Sequence, residues 1–119
     1  MDKHERTWLI AEVQAERERL LPLRGEATRT TIEMVRKSAE QVSQPDLVPY
    51  LNLAYLLGVK RARGDDELLA FALSLANWAV AAISDLAKYT DRTVEQVVDL
   101  YETALMAAAA EAEAEEDPA

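Results

Sequence analysis

Leu68–Ser84, reading LLAFALSLANWAVAAIS, runs for seventeen residues without a charged side chain, between Gly64-Asp65-Asp66-Glu67 and Asp85. Its Ala and Leu content favours helix, and the helix it makes is apolar almost all the way round. Such an element has to be covered by the rest of the chain, by a second copy, or by lipid. A membrane-spanning helix needs about 20 predominantly apolar residues. This run is shorter, contains Ser74, Asn77 and Ser84, and is flanked by acids. Trp78 lies in mid-run rather than at an interfacial end, where spanning helices place it. The reading is a buried core helix, with no membrane partner.

Downstream, the helix continues to about Tyr89 and Thr90-Asp91-Arg92 turns the chain. Thr93-Val94-Glu95-Gln96 has the capping-box pattern, a hydroxyl followed three residues later by Glu or Gln. Val94, Val97, Val98, Tyr101, Ala104, Leu105 and Ala108 then form an apolar stripe at helical spacing. It gives way to AAAAEAEAEEDPA, whose glutamates oppose the negative end of the helix dipole, so fraying is expected from about Glu111.

Upstream, Tyr50–Val59 is apolar on nearly every side, with Asp46 as the expected cap and Pro49 tolerated in the first turn. Lys60, Arg61 and Arg63 suit the C-terminal end of that helix, and Gly64 suits a left-handed closing position. A tight antiparallel hairpin of 47–63 and 66–89 follows, with Leu53, Leu57, Leu69, Leu73, Ala76, Val80 and Ile83 expected to be deeply buried. Before it, a helix over 26–43 carries the seam Ile32, Val35, Ala39 and Val42, with Arg29–Glu33, Glu33–Lys37 and Arg36–Glu40 pairs on its wet faces. A helix capped by Asp2 runs to about Leu21, and Pro22 and Gly25 interrupt it. The expected fold is all-α: a small helical bundle of four main helices with a kink or break near Pro22–Gly25. Residues 1–110 are read as a single helical domain and 111–119 as an acidic, Ala/Glu-rich, frayed C-terminal tail.

Composition narrows the function by exclusion. The 119 residues contain no cysteine, which removes disulfides and thiolate metal sites and fits a reducing cytoplasm. The net charge is −9, whereas a phosphate-binding surface needs a basic face. The N-terminus, Met1-Asp2-Lys3-His4-Glu5-Arg6, is charged and unlike a signal peptide.

Chemistry-bearing constellations are equally scarce. His4 is the one histidine, so neither a His-x-x-x-His zinc site nor the paired Glu-x-x-His set of di-iron bundles exists. The three glycines stand apart, and no phosphate loop is formed. Asp66-Glu67-Leu68-Leu69-Ala70-Phe71, followed by an apolar helix and the Thr90–Val97 connection, resembles part of the helical nucleoside triphosphate pyrophosphatases of the MazG type. That resemblance implies carboxylate pairs converging on Mg²⁺ from facing helices. Ala70 stands three after Glu67, where the second carboxylate would be, and the earlier helices hold no Glu-x-x-Glu. The segment from Ile83 to Leu105 has the outline of a helix-turn-helix. Its second helix would present Glu95, Asp99 and Glu102 to phosphates. The reading is therefore no enzyme, no cofactor, no metal and no direct nucleic acid.

What remains is a non-catalytic helical protein–protein interaction module, expected to self-associate as a homo-oligomer. Its helices offer more apolar surface than a chain this small can cover, and exposed apolar patches mark interfaces. The candidate interface is the N-terminal helix, through Trp8 with Arg6, Arg17 and Arg19, because Trp and Arg concentrate binding energy. The alternative is a small acidic regulator or inhibitor that occupies a basic site on another protein, as a nucleic-acid mimic or antirepressor does.

Overall fold

A computed structural model describes residues 1–116 of the chain. The fold is all-α, with no strand among the described residues: α1 Lys3–Leu20, a 3₁₀ turn Leu21–Leu23, α2 Arg24–Glu40, α3 Val48–Arg63, α4 Asp65–Tyr89 and α5 Val94–Glu116. Asp2 caps α1 by accepting a hydrogen bond from the Glu5 amide at 2.8 Å. The break between α1 and α2 falls at Pro22, where the helix tightens to 3₁₀ geometry for one turn before Arg24 resumes it. The expected fraying from Glu111 meets a helix that continues to Glu116, and residues 117–119 lie outside the described residues.

The chain divides into two compact units, Met1–Ala76 and the residues from Asn77 onward. In the first, two buried clusters hold the packing. Leu20, Ala27 and Ala70 form one, with Leu23 against it. Met34, Val59 and Phe71 form the other, flanked by Val35, Tyr55, Leu56, Leu68 and Leu75. Within this unit the most extensive backbone contact between helices is that of α2 with α3. A single residue, Gly64, links α3 to α4, at φ 94°, a conformation that side-chain-bearing residues rarely adopt. Its amide donates back to the Val59 and Lys60 carbonyls at 3.2 Å, closing α3.

Three expectations about this unit are corrected. The buried face of α2 is Ala27, Thr30, Thr31 and Met34, whereas Ile32 is 38% and Val42 72% exposed. The helix is turned by about one residue, some 100°, from the all-apolar seam. Two threonines can face the core because each returns its hydroxyl proton to the carbonyl four residues back, Thr30 to Glu26 at 3.0 Å and Thr31 to Ala27 at 2.9 Å. Likewise α4 turns Phe71 and Ala70 inward, leaving Leu69 48% and Leu73 46% exposed, and Leu53 of α3 is 51% exposed. Phe71, the largest side chain of the run within this unit, occupies the space beside Met34 and Val59. Asp46 does not cap α3, which starts at Val48 with no side-chain cap.

In the second unit a closely specified turn joins α4 to α5. Thr90 donates its amide to the Leu86 carbonyl at 3.0 Å and Arg92 to Ala87 at 2.9 Å. Between them Asp91 takes the left-handed conformation, φ 55°. The capping box then forms reciprocally: the Thr93 amide donates to Gln96 Oε1 at 2.9 Å, and the Gln96 amide to Thr93 Oγ1 at 3.1 Å. Ala87 and Val97, within about one turn of this connection, are buried. Farther along the same two helices Val80, Leu105 and Met106 are about two-thirds exposed, so the expected deep burial of Val80 is also corrected.

Candidate interaction surfaces

Of α1, only Leu20 is buried. Trp8 is 61% exposed, and Leu9, Ile10 and Val13 are between 39% and 49% exposed. An isolated 18-residue helix is marginal in water, so a helix this bare takes its stability from local pairs or from a partner. At 3.6 residues per turn the four candidate interface residues divide. Trp8 and Arg19, eleven apart, share one face; Arg6 and Arg17, also eleven apart, share the opposite one. Arg19 is already engaged, bonded to Glu16 on its own helix and to Asp66 at the start of α4. Those two carboxylates, Glu16 foremost, hold its guanidinium well above its ordinary pKa.

A groove of about 380 Å³ lies between α2 and α3. Its floor is Ala54, Gly58 and Ala62, one helical turn apart, and its polar rim is Thr30, Glu33, Tyr55 and Arg63. Arg63 reaches Glu26 at 3.7 Å and Thr30 Oγ1 at 3.4 Å. The Tyr55 hydroxyl donates to Glu33 Oε1 at 3.2 Å, while Arg29 pairs with Glu26 instead of Glu33. Burial first and the Glu33 charge second raise the Tyr55 phenol above its usual pKa.

The third surface belongs to α4 and α5 in the second unit. Trp78, Val80, Leu86, Tyr89, Val94, Val98, Leu100, Tyr101, Leu105 and Met106 are all between 38% and 84% exposed there. By length and composition α4 is apolar enough to cross a membrane, and only 11% of its most apolar window is buried. Sequence reasoning assigned Val80 to a core. A helix apolar nearly all the way round gives periodicity no phase, so the sequence could not say which of its apolar residues would be covered.

Among the described residues no three of His, Cys, Asp and Glu converge as a metal site would require. Every buried side-chain polar atom among them has a hydrogen-bond partner. Comparison with protein families, with curated proteins and with solved structures finds no match to this chain.

Proposed function

We propose that this chain is a non-catalytic helical interaction module of the cytoplasm that associates with itself and presents α1 to a protein partner. The observation that carries the reading is the imbalance between core and surface. Among the described residues eight apolar side chains are buried, and three of those are alanines. Both tryptophans and three of the four tyrosines (Tyr50, Tyr89 and Tyr101) are among the exposed large side chains. Aromatic side chains carry the largest apolar area per residue, and their enrichment on a surface is a mark of contact sites. On α1, Trp8 and Arg19 on one face and Arg6 and Arg17 on the other supply the residue types in which interfaces concentrate their energy. Sedimentation velocity or light scattering on the full chain at micromolar concentration tests the self-association. A concentration-dependent rise in mass supports it, and a strict monomer over that range overturns it.

One observation favours the second reading, a small acidic regulator that fills a basic site on another protein. α5 carries seven carboxylates and no Lys or Arg between Val94 and Glu116. Glu95, Asp99 and Glu102 stack on one face at spacings of four and three, roughly one turn apart. Binding to a basic target that weakens steeply with salt is the behaviour this reading requires.

A further inference from the structure

The charge of this chain is not shared evenly between its two units. Met1–Ala76 holds twelve acids against eleven cations. The residues from Asn77 onward hold ten acids against two cations, and so carry nearly all of the net charge of −9. Those two cations, Lys88 and Arg92, both lie beside the turn between α4 and α5, and α5 itself has none. Glu95, Asp99 and Glu102 are exposed, and among the described residues no ion pair engages them. A row of like charges without counter-charges repels itself, and an opposite charge on another molecule relieves that repulsion.

Beside this row runs an uncovered apolar seam. Val94, Val98, Tyr101 and Leu105 follow one another at four, three and four residues, the spacing of a helix that pairs with another helix, and are between 44% and 65% exposed. The seam is about 16 Å long, three turns of helix. Its residues lie about 40–100° round the helix from the buried Val97, and the three acids lie about 140–200° from it in the same sense. The acids therefore border the seam on the side away from Val97. Glu95 and Glu102, each one residue past a seam position, stand where flanking charges in paired helices select the partner. An acidic flank disfavours a second copy of α5, which brings the same charges, and an anionic lipid surface. Lysine and arginine are what it complements.

We infer that the Val94–Leu105 seam of α5 is the docking surface for a basic amphipathic helix of a partner protein. The apolar face of that helix covers Val98, Tyr101 and Leu105, and its lysines or arginines reach Glu95, Asp99 and Glu102. The inference rests on the acidic-regulator reading and gives it a surface and a kind of partner. The two halves of the surface act on different rates. Apolar cover over the seam slows dissociation, whereas the acidic row speeds encounter and makes it sensitive to salt.

The test titrates the full chain with a labelled synthetic peptide of leucine and lysine, apolar on one face and cationic on the other, about 18 residues long. A lysine homopolymer of the same length supplies the charge without the apolar face. The wild type binds the amphipathic peptide more tightly than the homopolymer, and added sodium chloride weakens both. Leu105→Ser and Tyr101→Ser each raise the Kd for the amphipathic peptide by about tenfold or more, through faster dissociation, and keep the helical circular dichroism of the wild type. Asp99→Lys combined with Glu102→Lys slows association and flattens the salt dependence. Tyr50→Ser on α3 and Glu12→Lys on α1 leave the Kd unchanged. A chain that binds neither probe overturns the acidic-regulator reading and this inference with it. Homopolymer bound as tightly as the amphipathic peptide, or seam variants that bind like the wild type, overturn this inference alone. Seam variants that lose their helical signal place the seam in the core and overturn it too. So does a wild type that, by itself, pairs with a second copy or binds neutral phosphatidylcholine vesicles in a manner that Leu105→Ser abolishes.

Discussion

Thr31 and Ser74 share a hydrogen bond, Oγ1 to Oγ at 2.8 Å, that ties α2 to the uncharged run of α4 across 43 residues of chain. Thr31 is only 1% exposed and lies 2.9 Å from the Ala27 carbonyl as well. A hydroxyl has one proton to give. With the Thr31 proton on Ala27, the Ser74 hydroxyl is the donor between the two side chains. The serine that makes α4 too polar for a simple apolar core helix is thus the residue that fastens it to α2.

Replacing Thr31 by Val keeps the shape and removes that acceptor. Thr31→Val is expected to destabilise the fold by about 1–2 kcal/mol, because the half-buried Ser74 hydroxyl loses its partner. Thermal unfolding checks this, and an unchanged melting temperature would show that water replaces the bond without cost.

Phe71 and Leu73 sit two residues apart in the same apolar run with opposite fates, 1% against 46% exposed. Phe71→Ala is expected to cost about 3–5 kcal/mol, since it opens a cavity against Met34 and Val59. Leu73→Ala should change the stability of the isolated chain by well under 1 kcal/mol. Equal losses in a denaturant titration would mean that Leu73 is covered in solution.

These contrasts show how far the sequence is legible. Local chemistry was readable where one residue answers another a few positions away: Asp2 with Glu5, Thr93 with Gln96, Pro22 breaking the helix, and Gly64 closing α3 at positive φ. Helix rotation was not readable. On α2 the apolar seam Ile32–Val35–Ala39–Val42 looked inward, yet Thr30 and Thr31 are buried because their own backbone satisfies their hydroxyls. Along the uncharged run of α4 nearly every face is apolar, so periodicity carries no phase: Phe71 is buried beside Met34 and Val59 while the larger Trp78 is 43% exposed. The candidate interface suffers from the same limit. Arg6, Trp8, Arg17 and Arg19 are neighbours in type but fall on two faces, and Arg19 is held by Asp66, far away in sequence.

Gly58 lies in the middle of α3, where a glycine costs about 1 kcal/mol relative to alanine. A Cβ placed there would meet nothing within 4 Å. Gly58→Ala is accordingly expected to stabilise the chain by about 0.5–1 kcal/mol and raise the melting temperature by a few degrees. A fall instead would reveal that the groove closes more tightly on Gly58 in solution.

Tyr55 gives the fold an alkaline limit. Its phenol is raised above the usual value near 10 by burial and by the neighbouring Glu33 carboxylate. The folded state therefore keeps a proton that the unfolded state releases. Its contribution is present in full below about pH 10 and is lost as pH rises through the higher folded value. Tyr55→Phe removes this dependence, so the difference in melting temperature between wild type and variant should narrow as pH rises above about 10. A difference that stays constant at alkaline pH would place the phenol in water.

Trp8 tests α1 as a contact surface. It is 61% exposed on a helix whose only buried residue is Leu20, so no core depends on it. Trp8→Ala should leave the melting temperature within a degree or two. Its loss should appear in hetero-recognition. Proteins retained from the native host by the immobilised wild type should be missing from the variant, and titration of such a partner should show a loss of about 2 kcal/mol or more, near thirtyfold in Kd. Three outcomes are informative in different ways. A variant that unfolds makes Trp8 structural. One that retains its partner removes α1 from recognition. One that loses self-association instead places α1 in the pairing of copies, where Arg6 and Arg17 would then be the next residues to exchange.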